Sequence, residues 1–279
     1  MIRRLSPAKV NLCLRVLRKR ADGYHDIASL MQRISLYDEL IFRPAERGIK
    51  VRCPDSSLPE NEENIVFKAA DAFFKQTPSL TIGIDITIKK KIPIAAGLGG
   101  GSSNAATTLM TLNEIFGCHY TTEDLMTIGV TLGADVPFFI FSRTAWAFGI
   151  GERLQAADGI PPLSFLLINP RFALSTKMIY QNLNLRLTNE TIHYSIPRFC
   201  TIHDVAKGLF NDLETVSIRM HPILADLKNS LTVCGALGAL MSGSGPTVFG
   251  LFEKEEQAIA AEEALAGMND WSLFRAVSI

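Results

Sequence analysis

The sequence has little of several things that would assign it a class at once. Its five cysteines, Cys13, Cys53, Cys118, Cys200 and Cys234, are odd in number, scattered, and include no C-x-x-C pair. That spacing excludes a disulfide scaffold and a thiolate metal knuckle, and free thiols in a reducing cytosol are the simplest account. Net charge is absent, with 28 Lys plus Arg against 28 Asp plus Glu, which argues against nucleic acid as the main partner. No apolar run approaches the roughly 20 residues of a membrane span. The opening MIRRLSPAKVNLCLRV is interrupted by Lys9 and Arg15 and makes a poor signal peptide, so a cytoplasmic location without a membrane partner is expected. His119, His193, His203 and His221 lack metal-ligand spacing, and no serine stands at the centre of a G-x-S-x-G elbow. What remains is 279 residues that are 47% hydrophobic, enough for one large or two modest domains with a packed core.

The most informative stretch is Ile92 to Glu114, IPIAAGLGGGSSNAATTLMTLNE. Gly97, Gly99, Gly100 and Gly101 are followed by Ser102 and Ser103, and a helix-forming run begins at Asn104. Before it, Ile82, Ile84, Ile86 and Ile88 alternate with Gly83, Asp85 and Thr87, which predicts a strand over Leu80 to Ile88. After it, Ala105, Leu109, Leu112 and Phe116 keep helical spacing and Gly117 is a stop. Glycines let backbone N–H groups approach an anion, and a helix N-terminus adds unpaired donors and partial positive charge. Strand, glycine loop and helix start therefore read as a polyphosphate cradle, with Ser102 and Ser103 as caps or as ligands of phosphate or metal. No lysine follows the last glycine, so this is not a Walker A loop, and Ser102 replaces the third glycine of a dinucleotide fingerprint.

Elsewhere, Val10, Leu12, Leu14 and Val16 share one face of a strand over Ala8 to Val16, and Lys9, Asn11, Cys13 and Arg15 the other. A turn is expected at Asp22-Gly23 and strand-like spacing over Ser29 to Phe42. Turns follow over Arg43 to Asn64, with a short strand near Ile49 to Arg52. Helices are expected over Asn64 to Gln76 and Thr122 to Leu132, a further one beginning at Val136-Pro137, and a hairpin bent at Gly149 to Gly151. The segment Gln155 to Pro162 is the expected seam between domains 1–155 and 156–279. Beyond it come an apolar run Leu163 to Ile168, helices over Asp204 to Arg219, Ile223 to Leu231 and Glu255 to Ala266, a glycine-rich turn Ser242 to Gly245 between two strand-like runs, and a closing strand Trp271 to Val277. The pattern is α+β.

Each candidate for chemistry has a plainer alternative at this point. Asp135 is either a carboxylate that accepts or orients a hydroxyl proton, or a helix N-cap. Lys9 is a solvated surface lysine unless it meets that carboxylate. Tyr24 and His25 either stack on a base or pack a turn, and Ser242 to Gly245 is an oxyanion loop or a tight turn.

Three segments, Ser6-Pro-Ala-Lys-Val-Asn11, Pro93 through Ala106, and Met241-Ser-Gly-Ser-Gly-Pro-Thr-Val-Phe249, resemble in order the three motifs of the GHMP kinase superfamily. RADGYHDI, LGADVPFF, AFGIGE and NDLE narrow the resemblance to the branch whose substrate is 4-diphosphocytidyl-2-C-methyl-D-erythritol. The resemblance implies a two-domain α+β fold, ribosomal-protein-like at the N-terminus and ferredoxin-like at the C-terminus. It implies ATP as donor, Mg²⁺ as cofactor, and phosphorylation of the C2 hydroxyl of that cytidylyl alcohol in non-mevalonate isoprenoid synthesis. Lys9 and Asp135 match the catalytic pair. Pro93, Gly97, Leu98, Gly99, Gly100, Gly101, Ser102, Ser103 and Asn104 match the ATP loop, and Asn11, Tyr24, His25, Thr176 and Tyr180 match substrate-binding positions. Ala95 and Ala96 stand where relatives often carry glycine, and Gln181 where some carry lysine. The alternatives are a GHMP kinase for another small alcohol, mevalonate or homoserine, and a non-catalytic ATP- or ligand-sensing module.

Overall fold

In the computed structural model, residues 1–77, 82–183, 194–267 and 270–279 are described. The chain groups into two compact units, one of Met1–Ala8, Tyr37–Ile92 and Gly99–Arg143, the other of Lys9–Leu36, Pro93–Leu98 and Thr144–Ile279. Two long strands, β1 (Ile2–Lys19) and β2 (His25–Ala45), contribute residues to both.

In the first unit, β3 (Ile49–Arg52) lies where the sequence put it. Helix α1 (Ile65–Gln76) begins at Asn64, whose side chain accepts from Val66 N at 2.9 Å and donates to Pro59 O at 2.7 Å. That cap satisfies an otherwise orphan N–H, and Val66, Ala69, Ala70 and Phe73 face the core. Strand β4 (Gly83–Lys89) buries Ile84, Ile86 and Ile88, pairs antiparallel with Glu39–Ala45 of β2 and parallel with β3. The expected strand start at Leu80 falls outside the described residues. Helix α2 (Gly100–Phe116) corrects the expected start at Asn104. Propensity favours a start after the glycines, but packing decides otherwise: a Cβ on Gly100 would lie 2.9 Å from the Ile92 side chain, so only glycine lets the helix begin this close. Gly117, at φ 59°, ends it. Helix α3 (Thr122–Leu132) opens with a capping box between Thr121 and Asp124, and the short α4 (Val136–Phe141) follows. Helices α1 and α4 pack on α2, whose buried side chains run from Ser103 to Leu112.

In the second unit, β5 (Ala145–Gly149) pairs antiparallel with Ile27–Met31 of β2 and with β6 (Arg153–Ala156), forming the expected hairpin. Strand β7 (Ser164–Asn169) is a continuous buried run, as a strand covered on both faces should be. Helix α5 (Thr176–Gln181) follows, capped by Ser175. The single helix expected over Asp204 to Arg219 is instead α6 (Ile202–Gly208), a two-residue strand β8 (Phe210–Asn211), and α7 (Glu214–Met220). The break is tertiary in origin: β8 pairs in parallel with β1 at Cys13 and Leu14, and Asp212 N donates to Leu14 O at 3.0 Å. The stretch from Thr188 to residue 193 lies outside the described residues. Helix α8 (Ile223–Val233), β9 (Gly238–Met241), β10 (Val248–Phe252), α9 (Glu255–Leu265) and β11 (Ser272–Val277) complete the unit. The antiparallel sheet β11-β7-β10-β9 packs against α8 and α9, with Leu166, Ile168, Leu224, Leu227, Leu231, Ala258, Ala261 and Phe252 in one core.

Replacing Asn64 with Ala removes the α1 cap and strands Pro59 O. The expected cost is about 1–2 kcal/mol, read as a lowered urea midpoint at unchanged m-value.

Candidate active site

Lys9 is not the solvated lysine its alternation first suggests; it is 3% exposed. Its backbone N–H donates to Leu98 O at 3.0 Å and its ammonium donates to Asn11 Oδ1. Asn11 is fixed in turn, its amide donating to Ser29 Oγ at 2.8 Å, and Ser29 Oγ donating to Cys13 O at 2.7 Å. The polar face of β1 is thus an interior face lined by side chains that hold one another in place. A buried ammonium requires such acceptors, because losing hydration without them costs several kcal/mol.

The two glycine-rich turns of this unit are clasped together. Ser242 Oγ donates to Gly97 O at 2.9 Å and accepts from Asn11 N at 3.4 Å, and Thr247 N donates to Ala96 O at 3.3 Å. Gly97 has φ 77°, and a Cβ there would fall 2.1 Å from Ser242 O, so the contact requires glycine. A Cβ on Gly243 would lie 3.3 Å from Asn11 Oδ1 and 3.4 Å from Lys9 Nζ. Lys9, Asn11, Gly97, Leu98 and the turn Ser242–Gly245 therefore occupy one place. The serines of that turn were not legible as partners of the first loop, since 145 residues separate Ser242 from Gly97.

His25 and Tyr180 are also brought together, stacked with ring centroids 5.1 Å apart and planes 29° apart. Burial, and then the charge of Lys19, holds the His25 pKa below its ordinary value and favours the neutral ring. Tyr24, next to it, is 59% exposed. The turn carrying both is tied down: Arg20 N donates to Tyr24 O at 2.8 Å, Tyr24 N to Asp22 Oδ1 at 3.1 Å, and the Arg20 guanidinium reaches Asp22 and Asp26. Thr176 Oγ1 lies 2.8 Å from Ser244 Oγ, which joins α5 to the second glycine-rich turn.

In the first unit, Gly99 is the N-cap of α2 at φ 68°, and Gly100 to Ser103 form its first turn. The N-cap is a glycine and makes no side-chain cap hydrogen bond, so neither Ser102 nor Ser103, read from the sequence as caps or ligands, is the N-cap. Ser103 Oγ instead accepts from Ser6 Oγ at 2.7 Å. Asn104 is 1% exposed, and its Oδ1 has no hydrogen-bond partner among the described residues. First-turn N–H groups without a side-chain cap suit an anion. Asp135 stands at the N-cap position of α4 but makes no side-chain cap hydrogen bond, so capping does not account for its carboxylate. Gly133, two residues earlier, lies beside α2: a Cβ on it would be 3.7 Å from Ser102 Oγ. Among the described residues no group of three His, Cys, Asp or Glu side chains could hold a metal ion.

Residues 64–143 match the GHMP kinases N terminal domain and residues 201–269 the GHMP kinases C terminal domain. Fold and loops together are those of a GHMP kinase, with the α+β two-domain fold of that class. The chain is 59% identical over 279 residues to the 4-diphosphocytidyl-2-C-methyl-D-erythritol kinase of Syntrophus aciditrophicus, covering 100% of both. It is 50% identical over 268 residues to that of Geobacter metallireducens, covering 95% of this chain and 94% of the other. A solved crystal structure of a 4-(cytidine 5′-diphospho)-2C-methyl-D-erythritol kinase superposes with a TM-score of 0.84 at 34% identity, over 99% of each chain. The chain belongs to the 4-diphosphocytidyl-2-C-methyl-D-erythritol kinase family.

Two neighbouring substitutions in the loop should act in opposite directions. Ala95 is held at φ 52°, a left-handed conformation that costs an L-residue roughly 1 kcal/mol more than glycine, so Ala95→Gly should raise the thermal midpoint slightly. Gly97→Ala meets Ser242 O and should cost at least about 2 kcal/mol, with the midpoint falling accordingly.

Proposed function

We propose that this protein is a small-molecule kinase that transfers the γ-phosphoryl group of ATP to the C2 hydroxyl of 4-diphosphocytidyl-2-C-methyl-D-erythritol, a step of non-mevalonate isoprenoid synthesis. Family membership supports the reaction. The stacked His25–Tyr180 pair is the observation that carries the choice of acceptor, because two stacked aromatic rings, one beside a tied-down turn and one on α5, suit a nucleobase and have no use for a small acid.

ATP is the donor, and Mg²⁺, which binds largely through substrate phosphates, would neutralise part of their charge. The loop from Pro93 through Gly97, Leu98, Gly99, Gly100 and Gly101 to Ser102, Ser103 and Asn104 cradles those phosphates, and the aligned peptide dipoles of α2 favour their charge. Asn11, Tyr24, His25, Thr176 and Tyr180 bind the acceptor. Asp135 takes or orients the proton of the C2 hydroxyl as its oxygen bonds to the γ-phosphorus and the bond to ADP breaks. The Lys9 ammonium stabilises the negative charge developing on that oxygen. Because the transition state of phosphoryl transfer is loose, alignment contributes more than base strength.

The unpaired cysteines support a reducing, cytoplasmic setting, and no helix among the described residues is long and apolar enough to cross a membrane. Zero net charge supports a small-molecule partner over nucleic acid.

ADP release with Mg·ATP and, in parallel, the cytidylyl alcohol, mevalonate or homoserine tests the reading. Turnover with the cytidylyl alcohol alone is expected; turnover with another alcohol instead would overturn the assignment of Tyr24 and His25. Asp135→Asn should lower kcat by roughly 10²–10⁴-fold with ATP affinity retained, and a near-normal kcat would remove Asp135 from the mechanism.

A further inference from the structure

The NDLE motif, Asn211 to Glu214, breaks a helical pattern and is given no part in the reaction above. Asn211 is 5% exposed. Its amide nitrogen donates to both Met241 O and Gly243 O at 2.8 Å, bridging the carbonyls on either side of Ser242, while its Oδ1 accepts from Leu213 N at 3.0 Å. All the hydrogen-bonding capacity this geometry asks of an asparagine is used, two donors on one side and an acceptor on the other. Glu214 Oε1 adds a second fastening, accepting from Met241 N at 2.8 Å. The same motif grips β1: Asp212 N donates to Leu14 O at 3.0 Å and Asp212 Oδ2 accepts from Val16 N at 2.7 Å.

NDLE thus joins the strand that carries Lys9 and Asn11 to the turn that packs on them. The turn's Gly243 is the point of approach: a Cβ added there would lie 3.2 Å from Gly97 O, 3.3 Å from Asn11 Oδ1 and 3.4 Å from Lys9 Nζ. Ser242, between the two bridged carbonyls, holds Gly97 O and accepts from Asn11 N. We infer that Asn211 is a positioning residue for the Lys9 ammonium: it sets the depth of the Met241–Gly243 backbone, and that backbone fixes where Lys9 and Asn11 point. The inference rests on the proposed role of Lys9, since a lysine that merely packs would gain nothing from being aimed.

Asn211→Asp is the discriminating variant. It keeps the shape and the acceptor for Leu213 N but turns a carboxylate oxygen toward two carbonyl oxygens. Steady-state ADP release by the full chain, with Mg·ATP and the cytidylyl alcohol, should show kcat lowered about 10- to 100-fold, the range that follows from stranding buried polar groups. Both KM values should stay within about threefold, because Asn211 is buried with its amide spent on protein backbone. The ¹⁵N ammonium NMR signal of Lys9, assigned through Lys9→Arg, should shift or broaden in Asn211→Asp while the other lysine signals stay in place. Gly243→Ala perturbs the same relay from the turn: its Cβ would be tight against Gly97 O and Asn11 Oδ1 and in contact with Lys9 Nζ, at a φ of 56° that strains an L-residue. If Asn211→Asp does not fold, Gly243→Ala should move the Lys9 signal and lower kcat in the same way. In the double variant the two losses should fall short of their product, as for coupled sites.

An unmoved Lys9 signal with normal kcat in folded Asn211→Asp would overturn the inference, as would fully multiplicative losses. Wild-type protein inactive on the cytidylyl alcohol would overturn the proposed function instead, and the Lys9 signal would still decide the role of Asn211.

Discussion

A cation removed from water must be surrounded by fixed acceptors, and much of the second unit follows from meeting that requirement at Lys9. Removing hydration from an ammonium costs several kcal/mol unless acceptors replace it. Asn11 supplies one, and cannot drift because its amide is held by Ser29, which is itself held by the Cys13 carbonyl. Such a chain of bonds is rigid because each member has lost its freedom to another. The result is an ammonium whose acceptor is fixed by the protein's own hydrogen bonds; under the proposed function, such preorganisation lets a charge act without reorganisation.

Glycines make this arrangement possible by what they leave out. At Gly97 the backbone of one turn lies where any side chain would collide with Ser242 O, and at Gly243 an added Cβ would be tight against Gly97 O and in contact with the Lys9 ammonium. The Ser242 hydroxyl, fully buried, donates to one loop and accepts from the strand. One hydroxyl therefore ties together three segments that are far apart in sequence. In the first unit the same economy appears at Gly100, whose missing Cβ lets α2 begin beside Ile92 and present its first-turn N–H groups uncapped.

The pairing of His25 with Tyr180 follows another rule. The turn from Arg20 to Tyr24 is closed by backbone bonds and by a guanidinium shared between Asp22 and Asp26. An exposed ion pair adds little stability, but here it limits the turn to one shape. Under the proposed function, that restriction reduces the entropy lost when a base docks beside the turn.

Local pattern was enough to place most elements, because alternation and 3.6-residue spacing are written in neighbouring residues. The strand Ile49–Arg52, the helix Thr122–Leu132 and the hairpin at Gly149 were all legible for that reason. The glycine loop could be read as an anion cradle from its residue types, and the motif resemblance pointed to the family. What local pattern missed was decided by distant partners. Helix α2 starts at Gly100 because Ile92 is there to pack against, and the run from Asp204 to Arg219 breaks because β1 offers Phe210 and Asn211 an edge to pair with. Lys9 reads as a surface residue by alternation, yet is buried. A strand's second face is solvent or core according to what the rest of the chain lays upon it, and no window of neighbouring residues contains that information.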